Sequence, residues 1–251
     1  MGIKKIGQNF LIDKSVAERE IKYAMINKND TVLEIGPGNG ILTKIIADKA
    51  KHVIAVEIDK KLVENLKKII PKNVTLITAD ILELDLFKII PFNKVVANLP
   101  FQISSPITFK LLDYPFSKAV LIYQKEFAER LVAKHDSKNY SRLSVGVHYK
   151  SNCKILETVP KNCFNPIPKV DSCVVEIIPR KKPPFDLLNE DYFYLILKLL
   201  FNQRRKKIRN ILKINNSEFK NIPYLNNRVE QLSPIQIGEL CNFLYKINFK
   251  S

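Results

Sequence analysis

The sequence predicts an α/β fold, a mostly parallel sheet flanked by helices, with a small helical domain after it. Three observations point there. Short apolar runs alternate with helical patterns from residue 31 to about residue 123. A glycine-rich turn, Gly36-Pro37-Gly38-Asn39-Gly40, follows the first of those runs. Beyond RKKPPF, residues 180–185, the apolar spacing turns helical.

Val32-Leu33-Glu34-Ile35 reads as a buried strand, with ILTKIIADKA as the helix behind it. HVIAVEID and KKLVENLKKII repeat the pair, VTLITAD leads into a short helical stretch, and KVVANLPF is a fourth strand. A helical SPITFKLLD, a strand KAVLIY and a helix QKEFAERLVAKH come next. Strands alternating with helices build βαβ units and a mostly parallel sheet. CKILETV and SCVVEII, residues 153–159 and 172–178, read as a closing hairpin around a proline-rich loop. RKKPPF sets two prolines beside three cations and reads as a linker. After it YFYLILKLLF, IRNILK and PIQIGELCNFLYKI are helical. Pro234 suits a first helical position, and Ser233 the cap before it. The expected division is an α/β domain over residues 1–182 and a helical domain over residues 183–251.

The chain has 251 residues, 46% of them apolar, which is enough for a sizeable core. Lys and Arg number 41 against 25 acids, a formal net charge of +16. So basic a surface points to a polyanionic partner, nucleic acid ahead of membrane. The apolar segment near the N-terminus is only Phe10-Leu11-Ile12, too short for an export signal. No apolar run approaches the ~18 residues of a membrane span. None of the four cysteines is in a C-x-x-C pair, so no metal site is expected, and the thiols suit a reducing cytoplasm.

The glycine turn lets the backbone fold tightly and a ligand approach closely. A dinucleotide fingerprint would need glycine at position 41, where Ile41 stands. The spacing instead suits a nucleoside joined to an amino acid, as in S-adenosylmethionine. Glu57 ends the next strand, where a carboxylate can accept both ribose hydroxyls. Asp80 ends the third, placed to accept from an adenine amino group, and Asn98 ends the fourth. A single acid at a strand end is unremarkable. Four polar elements at the carboxyl ends of successive strands mark the edge where open α/β sheets bind ligands.

An isolated Asn98-Leu99-Pro100-Phe101 would be no more than a turn with a core aromatic. At the end of the fourth strand it reads as chemistry. An exocyclic purine amine is a poor nucleophile, because its lone pair is delocalised into the ring. Two fixed acceptors on its two hydrogens favour a pyramidal nitrogen. The Asn98 side-chain oxygen is one, and the Leu99 carbonyl, aimed by Pro100, is the other. Phe101 offers a face for the base, worth ~1–3 kcal/mol. No strong base is needed, since positioning supplies much of the acceleration.

GQNFLID at 7–13, VLEIGPGNG at 32–40, VEID at 56–59, AD at 79–80, NLPF at 98–101 and FNPIPKVDS at 164–172 together resemble the ribosomal RNA adenine N6-dimethyltransferase family. The resemblance implies a Rossmann-like S-adenosylmethionine-dependent methyltransferase sheet with a small C-terminal helical domain. It implies that Asn9, Leu11, Gly36, Gly38, Glu57, Asp80 and Asn98 hold the cofactor. Phe101 would stack on the target adenine, with Phe164 as a second wall. Leu99 and the compact C-terminal region favour the small-subunit branch, most closely an archaeal member. Phe101 stands where the family often has tyrosine, which preserves stacking and removes a phenolic hydroxyl. The implied partner is ribosomal RNA or an immature small ribosomal subunit, met by a monomer.

NQRRKKIRN is rich in Lys and Arg and has no acid. Arg205, Lys206 and Arg209 are expected to include phosphate contacts, with Lys4 and Lys5 flanking the site. Arg204 and Arg205 fall on the apolar stripe between Phe201 and Ile208, so one of them is expected to be partly buried and paired. Two other functions fit parts of the pattern. A DNA adenine methyltransferase shares the Asn-Pro-aromatic logic, but this chain has no room for a large target-recognition domain. A non-catalytic RNA-binding assembly factor could keep the fold, yet the intact Gly36, Glu57 and Asp80 argue against lost cofactor binding.

Overall fold

The computed structural model describes residues 9–213 and 221–249. Two compact units emerge: Met1–Ala128 with Asn152–Pro179, and Glu129–Ser151 with Arg180–Ser251. The second therefore takes in residues 129–151, ahead of the 182/183 boundary expected from the linker signal.

In chain order the elements are β1 (Phe10–Leu11), α1 (Lys14–Ala24), β2 (Thr31–Ile35), α2 (Ile41–Lys49), β3 (His52–Glu57), α3 (Lys60–Leu66) and β4 (Val74–Thr78). Then come β5 (Lys94–Asn98), α4 (Ser104–Leu112), β6 (Lys118–Gln124), α5 (Lys125–Leu131), α6 (Arg142–Lys150), β7 (Ser151–Val159), β8 (Phe164–Asn165) and β9 (Ser172–Pro179). The helices α7 (Glu190–Phe201), α8 (Ile208–Ile211) and α9 (Pro234–Lys246) follow.

The first unit is built on a seven-stranded sheet of order β4-β3-β2-β5-β6-β9-β7. Strands β2 to β6 pair in parallel, and β9 runs antiparallel to β6. Parallel strands are covered on both faces, which is why β2, β5 and β6 are apolar almost throughout. One face packs Val32, Val53, Val96, Val120 and Ile122 against Val16, Ala17 and Ile21 of α1 and Leu42 and Ile46 of α2. Buried Lys94 fixes where β5 starts: its ammonium donates to the Ala24 carbonyl (2.7 Å) at the end of α1 and pairs with Asp30 (3.2 Å). A cation at a helix C-terminus complements the carbonyls exposed there.

The chain runs from β2 outward through β3 and β4, then returns to place β5 on the other side of β2. That reversal is a topological switch point. It opens a crevice at the carboxyl ends of β2 and β5, below Gly36 and Asn98.

The short helix expected after VTLITAD does not form. Residues 81–93 are turns, because the Asp80 and Asp85 side chains accept from the Leu82 amide (2.8 Å) and the Phe87 amide (3.0 Å). Such local bonds compete with helix formation. The closing hairpin is present, with β7 outermost beside β9.

In the helical unit, Tyr140, Val145 and Tyr149 share a core with Phe193, Ile196, Leu197, Ile237 and Leu240. Helix α6 packs on α7 and α9, which is why residues 129–151 join this unit. Ser233 caps α9 as expected: its hydroxyl accepts from the Gln236 amide (3.3 Å), and Gln236 Oε1 accepts from the Ser233 amide (2.9 Å). No helix among the described residues is long and apolar enough to cross a membrane.

Candidate active site

A crevice of about 200 Å³ lies at the switch point, lined by Asn9, Phe10, Gly36, Gly38, Glu57, Asp80 and Asn98 to Ile103, with apolar side chains between them. Every lining residue belongs to the first unit.

Gly36 leaves β2 with φ +67° and donates its amide to the Val56 carbonyl (2.9 Å). Gly38 has φ +56°, and a Cβ there would lie 2.8 Å from Phe10 Cδ1. Both needs, a left-handed backbone and a close neighbour, select glycine.

Glu57, 2% exposed, is held by three backbone amides. Its Oε1 accepts from Ile58 (2.9 Å) and Asp59 (3.0 Å), and its Oε2 from Gly38 (3.3 Å). The carboxylate is thus fixed before any ligand arrives. Asp80 Oδ1 is engaged by the Leu82 amide, and the Asp80 carbonyl accepts from Glu83 (3.1 Å) and Leu84 (3.0 Å).

At the end of β5, Asn98 Nδ2 donates to the Asn9 carbonyl (2.9 Å). A carbonyl can only accept, so this bond fixes which way the amide faces. Asn98 Oδ1 is buried and has no hydrogen-bond partner among the described residues. Buried polar atoms are rarely left so, and an unused acceptor on a residue that lines the crevice is a place for a ligand donor. Pro100, with φ −58° and ψ 122°, starts a single 3-10 turn over Phe101–Ile103. Ser104 Oγ ties that turn down by donating to the Phe101 carbonyl (2.9 Å). Phe101 is half-buried and lines the crevice.

The chain matches the family model described as ribosomal RNA adenine dimethylase over residues 2–246. It belongs to that family. Among its relatives is a probable ribosomal RNA small subunit methyltransferase A from Thermococcus onnurineus, 44% identical and aligned over 97% of this chain and 92% of the relative. The protein of the same description from Methanococcus aeolicus is 46% identical over 99% and 98%. Of solved structures, a dimethyladenosine transferase from Plasmodium falciparum is similar with a TM-score of 0.84, at 29% identity over 96% of this chain and 98% of that one. The 23S rRNA methyltransferase ErmE is similar with a TM-score of 0.69, at 26% identity over 93% and 98%. The Rossmann-like methyltransferase fold expected from the motifs is the fold found.

In this dimethylase family member, Asn9, Gly36, Gly38, Glu57, Asp80, Asn98, Leu99, Pro100 and Phe101 come together around one crevice. Leu11 and Phe164 lie elsewhere. They face each other in the antiparallel β1–β8 pair and sit in the core, Leu11 at 5% and Phe164 at 0% exposure. In this conformation Phe164 presents no face to a base. Phe10 lines the crevice although the sequence did not single it out, as do Ile58, Ile81, Gln102 and Ile103; the place of Phe10 between Asn9 and Leu11 was the available signal.

In the helical unit, residues 202–206 form turns and a bend between α7 and α8, and Lys207 makes an isolated antiparallel bridge with Arg228. Arg204 is the partly buried arginine of the pair: its Nη1 donates to the Lys138 and Tyr140 carbonyls, both at 2.7 Å, and its Nε lies 3.8 Å from Glu230. Arg205 and Lys206 are exposed and Arg209 is half-buried. Lys4 and Lys5 lie outside the described residues. No cluster of His, Cys, Asp and Glu among the described residues could hold a metal ion, and none of the four cysteines is in a disulfide.

Proposed function

We propose that this enzyme dimethylates N6 of adenines, two adjacent ones, in small-subunit ribosomal RNA. In this reading it acts in the cytoplasm as a monomer on an immature small subunit. The names of its relatives support the substrate class. The single observation that carries the chemistry is the buried, unpartnered Oδ1 of Asn98 at the switch point.

Bound in the crevice, S-adenosylmethionine supplies a sulfonium-activated methyl group. The residues present fit it: fixed Glu57 for the ribose, Asp80 for the adenine edge, left-handed Gly36 and Gly38 for close approach, and Asn9 beside them. In the first transfer Asn98 Oδ1 accepts from one N6 hydrogen of the target base and the Leu99 carbonyl from the other, turning the nitrogen lone pair outward. In the second transfer the one remaining N6 hydrogen is held by one of these two acceptors. Phe101 stacks on the flipped base. Proton loss from the methylated amine goes to solvent, because methylation leaves a cationic and strongly acidic nitrogen. The helical unit supplies phosphate contacts through Arg205, Lys206 and Arg209.

The test is incubation of the enzyme and labelled cofactor with immature small subunits, followed by mass mapping of RNA fragments. Paired dimethyladenosines support the reading. Label on another base, or no label on the RNA, contradicts it.

A further inference from the structure

Among the described residues, one hydrogen bond orients the Asn98 amide, from Asn98 Nδ2 to the Asn9 carbonyl. A main-chain carbonyl can hold a side chain in place only if its own backbone is held. Phe10 and Leu11 pair with Asn165 and Phe164, and the Ile12 amide donates to the Cys163 carbonyl (2.9 Å). Asn9 lies one residue before that strand pairing. Its restraint on the far side is its own side chain, whose Nδ2 donates to the Pro166 carbonyl (2.6 Å). Two bonds therefore run in series: Asn9 side chain to Pro166, then Asn9 carbonyl to Asn98.

We propose that Asn9 is a positioning residue for methyl transfer, clamping the N-terminal strap to Pro166 so that its carbonyl keeps Asn98 Oδ1 turned toward the target amine. This role is separate from any contact between Asn9 and the cofactor, and it rests on the reading of Asn98 given above. When the clamp is lost the strap slackens, and the amide gains freedom to rotate. A rotated amide presents its NH2 to the amine it should accept from. Such a defect lowers the rate of the chemical step even when every cofactor site is filled.

The test is single-turnover methyl transfer at saturating S-adenosylmethionine, with Asn9→Ala, Asn9→Asp and Asn9→His. Asn9→Asp keeps the shape and removes the donor; Asn9→His restores a ring N–H. We expect the first two to lower the saturated rate by about tenfold, near the effect of one neutral hydrogen bond lost from the transition state. Asn9→His should recover part of it. In an Asn98→Ala background, Asn9→Asp should cost nothing more, because Asn9 acts through Asn98. Full saturated rates in Asn9→Ala and Asn9→Asp, with weakened cofactor binding alone, would overturn the proposal and leave Asn9 a cofactor contact only. An active Asn98→Ala enzyme would instead remove the underlying reading, so the two failures are distinguishable.

Discussion

The Gly38 amide donates to Glu57 Oε2 across 3.3 Å, tying the glycine turn to the end of β3. The two motifs that suggest a nucleoside site are therefore one unit. Gly38→Ala strikes it twice, through a backbone at φ +56° and a Cβ 2.8 Å from the Phe10 ring. We expect a stability loss of about 1–2 kcal/mol from the left-handed backbone alone. We also expect clearly weaker S-adenosylmethionine binding. Thermal unfolding and calorimetry read the two effects.

Glu57→Ala removes the proposed ribose acceptor and leaves the Gly38, Ile58 and Asp59 amides without theirs. Hydrogen bonds to a charged group contribute about 1.5–3 kcal/mol, so cofactor affinity should fall by roughly 10- to 100-fold. Unchanged affinity by calorimetry would reassign the crevice.

Much of this was legible because the fold puts its chemistry at strand ends. Gly36, Glu57, Asp80 and Asn98 each follow an apolar run, and parallel strands place all four on one edge of the sheet. What escaped depends on contacts between distant residues. The meeting of Asn9 with Asn98 and the packing of Phe10 on Gly38 leave no periodic trace in the sequence. Phe164 is expected from the motifs to be a second wall for the base, yet pairing with Leu11 buries it. Residues 129–151 read as part of the α/β domain because the linker signal comes only at RKKPPF, yet Tyr140 and Tyr149 pack in the helical core.

Glu34 gives the fold a pH dependence. It is fully buried in β2, and among the described residues neither carboxyl oxygen has a partner at hydrogen-bond geometry, with Thr43 nearby. Burial pushes its carboxyl from an ordinary 4.5 up to about 8, reinforced by the charge of Glu57 and opposed by nearby Thr43. Glu20, also fully buried, is shifted up by burial and then by Glu34 and Glu157. Between pH 4.5 and about 8 the folded state keeps a proton on Glu34 that the unfolded state has lost. Stability should therefore fall as pH rises through that window, by at most about 1.4 kcal/mol per pH unit from this group. Glu34→Gln should flatten the curve and gain most over the parent near pH 8, read by denaturant unfolding at a series of pH values. A parent whose stability rises across the window would contradict this.

The arginines should divide by role. Arg204→Ala removes the donor to the Lys138 and Tyr140 carbonyls and should destabilise the helical unit by about 1–3 kcal/mol. Arg205→Ala and Lys206→Ala should leave stability within about 0.5 kcal/mol. Each should weaken RNA binding and reduce the slope of log affinity against log salt by about 1. Binding that is flat in salt would make the net charge of +16 irrelevant to recognition.

The most direct measurement is methyl transfer by Asn98→Ala with cofactor affinity followed in parallel. In the proposed mechanism the amide oxygen acts on the acceptor amine, so turnover should fall by at least about 100-fold, as when an aimed transition-state partner is removed. Cofactor affinity should stay within a few-fold of the parent. Near-normal turnover in that variant would contradict the account.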